Sequence, residues 1–265
     1  GKVARSDFYN DEMARIYAEE LGFNILRVNV APWGYPRTED PDDITWKAMQ
    51  FGRGDKQNSR VKVFIDFAKK LKKHEPDLRV IGTVWSPPAW MKVNNKVTGG
   101  RRNTEPSITG KSYKKKRRTS RNRMERKYYP HFCKLLAEMC KLHKAEGVPF
   151  YALSPGNEVM FSQRFESCTW TSEDFATIVA MLGETLEREG FGDVLIYGPE
   201  TMTHHNWSIA NPLYIKELRA NETAWKQLDR FATHGYVDGF KKDISAESSL
   251  EFWNMIEEYN KPYWM

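Results

Sequence analysis

The chain has 265 residues, of which 40% are hydrophobic and 29% charged, with a formal net charge of +6. That is enough apolar material for one large core or two small ones, and it excludes a disordered polymer; no run approaches the roughly 18 apolar residues of a membrane-spanning helix. A uniformly basic surface is also excluded, because Arg101–Lys127 holds 12 Lys/Arg against 2 Glu, a net +10, and the other residues carry a net −4.

The first stretch, GKVARSDFYNDE, lacks the apolar core of a secretion signal, which leaves open a signal removed or lying upstream. After Ser6, read as an N-cap, Met13, Ile16, Tyr17 and Leu21 recur at helical spacing until Gly22, and FNILRVNV follows as a strand. The same helix-then-strand unit recurs five times. RVKVFIDFAKKLKKHEP precedes LRVIGTVW, YYPHFCKLLAEMCKLHKAEG precedes VPFYALSP, and TSEDFATIVAMLGETLEREG precedes DVLIYGP. NPLYIKELRANETAWKQLD then precedes RFATHGY, and SAESSLEFWNMIEEYN precedes KPYWM. Helices alternating with near-continuously apolar strands predict one parallel sheet covered by helices, as in a (β/α)8 barrel or a doubly wound sheet, in a single domain spanning 1–265. Cys133 and Cys140, seven apart on one helix, and Cys168 have neither disulfide nor zinc spacing and are read as small core residues.

In a barrel, chemistry sits at the C-terminal ends of the strands. Those ends read RVNVAPW, TVWSPPAW, LSPGNEV, YGPETM, THGY and YWM, rich in polar and aromatic groups suited to a sugar ring, with no glycine-rich phosphate loop after the first strand. Glu158, directly after Asn157 at the mouth of an apolar strand, is a candidate general acid and base; a loop salt bridge is the plainer alternative. Trp85 and Trp90 flank a stiff Pro-Pro pair and suit either sugar stacking or a packed aromatic core. The adjacent His204 and His205 have no third ligand at usable spacing, so no metal and no cofactor are expected.

TVWSPPAWMK, then GG, then YYPHFCKLLAEMCKLHKAEGVPFYALSPGNE, GPE, HGY and KPYWM, in that order over nearly the whole chain, resemble glycoside hydrolase family 30, the retaining glycosidases that include xylanases and glucosylceramidases. The resemblance implies a (β/α)8 barrel, here with about six units and without the first and eighth strands. It implies that Glu158 is the acid/base and that Asn157 bonds the sugar 2-hydroxyl. Arg27 matches an arginine supporting the nucleophile, although an internal ion pair would also suit it, and Trp85 matches the tryptophan of the loop after strand three. His234 and Tyr236 match a His-x-Tyr pair whose tyrosine contacts the nucleophile, and the strand KPYWM leads to the nucleophile glutamate, expected just beyond Met265. Trp264 on that strand is a substrate-binding candidate, and Glu200 is a cleft-wall residue or, in an inverting mechanism, a second carboxylate. Trp33, Tyr35, Trp170 and Trp207 either line further sugar subsites or pack against loops.

The sequence departs from the family's pattern in three places. Gly156 and Val159 stand where glutamine and proline are usual, and Gly34 replaces an aspartate of the glucosylceramidases, which argues against a glucosylceramide pocket. A β-linked polysaccharide, xylan-like or β-glucan, is the implied substrate, the protein is implied to be secreted or periplasmic, and it is expected to be a monomer. Residues 101–126 read as a basic insertion after strand three, predicted to be a solvated arm, without the interleaved aromatics of a nucleic-acid module. The rival expectation is a barrel without catalysis that binds carbohydrate or a polyanion, whose affinity would fall steeply with salt in the polyanion case.

Overall fold

The computed structural model describes residues 9–48, 59–99, 108, 120–203, 210–235 and 247–264. Ser6, His204, His205, Trp207, Tyr236, Met265 and most of the basic insertion lie outside the described residues.

Six parallel strands pair in sequence order: β1 (Ile25–Asn29), β2 (Arg79–Thr83), β3 (Phe150–Ser154), β4 (Leu195–Met202), β5 (Leu228–His234) and β6 (Tyr263–Trp264). Helices connect them: α1 (Asp11–Arg15), α2 (Ser59–His74), α3 (Tyr129–Ala145), α4 (Ser172–Arg188), the pair α5 (Asn211–Ala220) and α6 (Glu222–Gln227), and α7 (Glu247–Ile256). Nearest-neighbour order with a helix before each strand is the winding of a (β/α)8 barrel, not of a doubly wound sheet, in which the order reverses. The sheet curls without closing, since β1 and β6 do not pair with each other among the described residues.

Local chemistry accounts for the element ends. Asn10 caps α1, its Oδ1 accepting from Met13 N at 2.7 Å, and the helix continues through a π-turn, Ile16–Glu20, to Gly22 at φ +67°. Thr171 caps α4 by accepting from Asp174 N. The fifth unit differs from its expected single helix. Asn221 adopts an extended backbone and its side chain accepts from Ala224 N, so it starts α6 afresh after α5.

The main core lies between sheet and helices, where Phe132, Leu135, Leu136, Phe175, Ile178, Leu182 and Phe231 are completely buried. Cys133 and Cys140 belong to it on α3, as the spacing predicts. A smaller cluster of Ile81, Ala152, Tyr197 and Ala232, with Trp264 packed on it, fills the inner face of the curled sheet. That inner layer forms the floor under the strand ends that carry the candidate site.

Candidate active site

The turn after β3 positions the central carboxylate. Asn157 N–H donates to the Val84 carbonyl at 2.8 Å, tying the turn to the segment leaving β2. Trp170 N–H donates to the Val159 carbonyl at 2.8 Å and brings the buried Trp170 indole beneath Gly156. A Cβ at Gly156 would lie 2.9 Å from Val159 Cγ1 and 3.0 Å from Trp170 Nε1. The indole therefore occupies the space that a side chain at position 156 would need. The next residue but one, Glu158, takes a left-handed backbone at φ +45°, as does Glu200 at φ +52°.

Four strands supply one connected polar array. Arg27 on β1 donates from Nη2 to Asn157 Oδ1 at 2.7 Å and to Glu200 Oε2 at 2.5 Å, with its guanidinium 4.6 Å above the Trp85 ring. Glu200 on β4 is 1% exposed and also accepts from Thr83 Oγ1 on β2 at 3.0 Å. His234 at the end of β5 lies between the two glutamates, Nε2 at 3.0 Å from Glu200 Oε2 and Nδ1 at 3.1 Å from Glu158 Oε1. Gln163 Nε2 donates to the other Glu158 oxygen, Oε2. Glu158 itself is 5% exposed.

Burial alone would neutralise these groups; their neighbours decide otherwise. Burial pushes the Glu200 carboxyl up, but the Arg27 charge and the His234 hydrogen bond outweigh it and hold it below the usual carboxylate range. Desolvation opposes the Arg27 charge, yet Glu200 raises that guanidinium further. For His234, burial disfavours the cation while hydrogen bonds to Glu158 and Glu200 favour it more strongly, giving a value of about 9. At neutral pH the ring is thus an imidazolium donating to a glutamate on either side.

A cavity of about 430 Å³ opens beside this array, with Arg27, Glu200, His234 and Trp264 on its walls and Ile81, Tyr197 and Ala232 at its base. Tyr197 hydroxyl donates to the Gly82 carbonyl at 3.1 Å, and Arg230 stacks 4.8 Å over the Trp264 ring. Glu200 is poorly placed to act on a substrate. Its oxygens are taken by Arg27, His234 and Thr83, and the imidazole occupies the space between it and Glu158. Glu200 lines the cavity, and with it Arg27 makes the internal ion pair that the sequence also allowed.

The candidates separate by position. Arg27, Trp85, Asn157, Glu158, Glu200 and His234 come together in or against the array, and Trp264 stands on the cavity wall. Trp33 is corrected: it is 6% exposed and belongs to the main core, so it packs rather than presenting a face to a sugar. Tyr35 and Trp170 are buried in the same way, and Trp90 Nε1 donates to the Tyr35 carbonyl at 2.9 Å. Gln163 and Thr83 were not legible as site residues; a glutamine five positions past Glu158 and a threonine inside an apolar strand carry no distinguishing pattern.

No family model matches the chain, and no curated protein sequence matches it significantly. Solved structures do match. A family 30 subfamily 8 xylanase from Clostridium acetobutylicum superposes with a TM-score of 0.65 at 21% identity, over 97% of this chain and 51% of that one. This is the fold of glycoside hydrolase family 30. An endo-β-1,6-glucanase shares it with a TM-score of 0.66 at 18% identity, over 96% of this chain and 51% of its own. A family 30 endoxylanase from Clostridium papyrosolvens does so with a TM-score of 0.60 at 20% identity, over 97% and 52%. The chain therefore spans about half the length of these three structures. Among the described residues, no helix is long and apolar enough to cross a membrane.

Proposed function

We propose that the protein is a retaining glycoside hydrolase acting on a β-linked polysaccharide, xylan or β-glucan, with Glu158 as its acid/base. What supports this reading is that Glu158 follows the C-terminal end of β3 in a fold shared with a family 30 xylanase, hydrogen-bonded to His234 and preceded by an Asn157 anchored to Arg27. Retention needs a second carboxylate about 5 Å away as nucleophile, and the engaged oxygens of Glu200 do not suit it to attack. The proposal assigns the nucleophile to a glutamate following β6, whose Trp264 already faces the cavity.

Trp85 and Trp264 supply faces for sugar rings, and Asn157 supplies a polar contact to a ring hydroxyl. The reading takes 1–265 as a single catalytic barrel carrying its basic segment as a loop insertion, monomeric, and secreted or periplasmic, where polymeric glycans are met. The test is hydrolysis of xylan and of β-1,6-glucan by the whole protein, followed by proton NMR of the anomeric configuration. Retained configuration, with turnover falling about 10²- to 10⁴-fold in Glu158→Gln, is expected. Inverted product, or undiminished turnover in that variant, would refute it.

A further inference from the structure

We propose that Glu200, His234 and Glu158 form a proton relay, in which Glu200 fixes the Nε2–H of His234 so that the proton on Nδ1 is the one exchanged with Glu158 Oε1. The relay gives His234 and Glu200 positioning roles, and its use in catalysis rests on the acid/base reading of Glu158.

Glu200 comes first, because its state is the least free. Arg27 from β1, Thr83 from β2 and His234 from β5 all direct polar groups at its carboxyl, and it is almost fully buried. A carboxylate accepting from Arg27 can only accept, so the imidazole nitrogen facing it has to donate. Nε2 then keeps its proton whether the ring is charged or neutral. Nδ1 is left as the variable site, and it faces Glu158 Oε1 at 3.1 Å.

Two protonation states fit this geometry without moving a heavy atom. In one, Nδ1–H donates to the Glu158 carboxylate. In the other, the same proton sits on Glu158 Oε1, which donates to a bare Nδ1. Gln163 selects the oxygen, since its Nε2–H donates to Oε2 and needs an acceptor there, leaving Oε1 to carry the proton. The transfer breaks Nδ1–H and forms Oε1–H, converting an imidazolium and a carboxylate into a neutral imidazole and a carboxylic acid. Among the described residues, charged groups facing the ring include Glu158 from the turn after β3 and Glu200 from β4, with Arg27 from β1 bonded to Glu200. The elevated value of His234, about 9, is what two flanking carboxylates produce.

The test needs no substrate. Protein labelled with ¹⁵N-histidine is titrated from pH 5.5 to 10.5 by long-range ¹H–¹⁵N correlation, the His234 signals being assigned by their loss in His234→Gln. The relay requires Nε2 to remain protonated throughout while Nδ1 switches, with a midpoint above the ordinary histidine range. In Glu200→Gln the midpoint falls and the Nε2–H preference is lost; in Glu158→Gln the midpoint falls and the preference remains. A neutral ring protonated at Nδ1 in the unaltered protein, or a midpoint unmoved by Glu200→Gln, would overturn the relay. The unaltered protein decides the tautomer even where a variant does not fold. Absence of glycan hydrolysis would count against the acid/base reading alone, because the NMR signature is independent of it.

Discussion

Arg27→Met removes the cation that keeps Glu200 ionised inside the sheet, and it allows the electrostatic frame of the site to be weighed. Two unit charges about 4 Å apart at an effective dielectric near 20 interact by about 4 kcal/mol. Arg27 is 34% exposed on its side chain and Glu200 only 1%, so solvent screens the arginine and reduces the loss to roughly 2–3 kcal/mol. Part of that is offset by His234, which remains beside Glu200 as a cation. Glu200→Gln should cost less, about 1 kcal/mol, because the amide still accepts one hydrogen bond and the released guanidinium can turn toward water. The double variant should recover part of the Arg27→Met loss, since the stranded charge is gone.

Urea unfolding at pH 7 and pH 4.5 reads both the size and the sign. In the unaltered protein the folded Glu200 carboxyl lies below its unfolded value, so its contribution is present above pH 4.5 and is lost as pH falls through the folded value. Without Arg27, Glu200 takes up a proton more readily, and the deficit of Arg27→Met should shrink on acidification. Equal costs for the two single variants, independent of pH, would show that Arg27 contributes packing on Trp85 and not charge.

His234 has the opposite sign: its folded value of about 9 lies above 6.5, so its contribution is complete below pH 6.5 and is lost as pH rises through 9. His234→Gln should flatten the urea midpoint across pH 6.5–9.5, and a slope unchanged by that substitution would place the titration elsewhere. Gly156→Ala drives a methyl into Val159 and Trp170 and should cost about 1–3 kcal/mol, read as a lowered thermal midpoint. Trp85→Ala removes the stack on Arg27 and should cost about 0.5–2 kcal/mol while weakening xylan binding in affinity electrophoresis.

The architecture was legible because its signals are local. Each helix repeats apolar residues at helical spacing and each strand is a short apolar run, so all six units could be read, including the two-residue β6. The split between α5 and α6 was not, because Asn221 inside a helical pattern signals a cap only once its backbone is seen to be extended. Glu158 could be singled out at its strand end, and Arg27 and His234 through the family resemblance, but their pairing could not. Arg27 and Glu200 are 173 residues apart and His234 and Glu158 76 apart, and only the curl of the sheet brings them within hydrogen-bond reach. Aromatic residues misled in one respect: the sequence does not distinguish a tryptophan facing a groove from one under a turn, and Trp33 and Trp170 are of the second kind.

The left-handed backbone at Glu158 and Glu200 bears on how this sequence can drift. A side chain longer than glycine's costs of order 1 kcal/mol or more in that conformation, and a β-branched one costs more. Glycine or asparagine would tolerate the torsion better, but at Glu200 either would strand the Arg27 charge. Both glutamates therefore hold a costly conformation through the partners that bond them, with His234 common to the two. In related sequences each glutamate is therefore expected to change together with its arginine or histidine partner, and seldom alone.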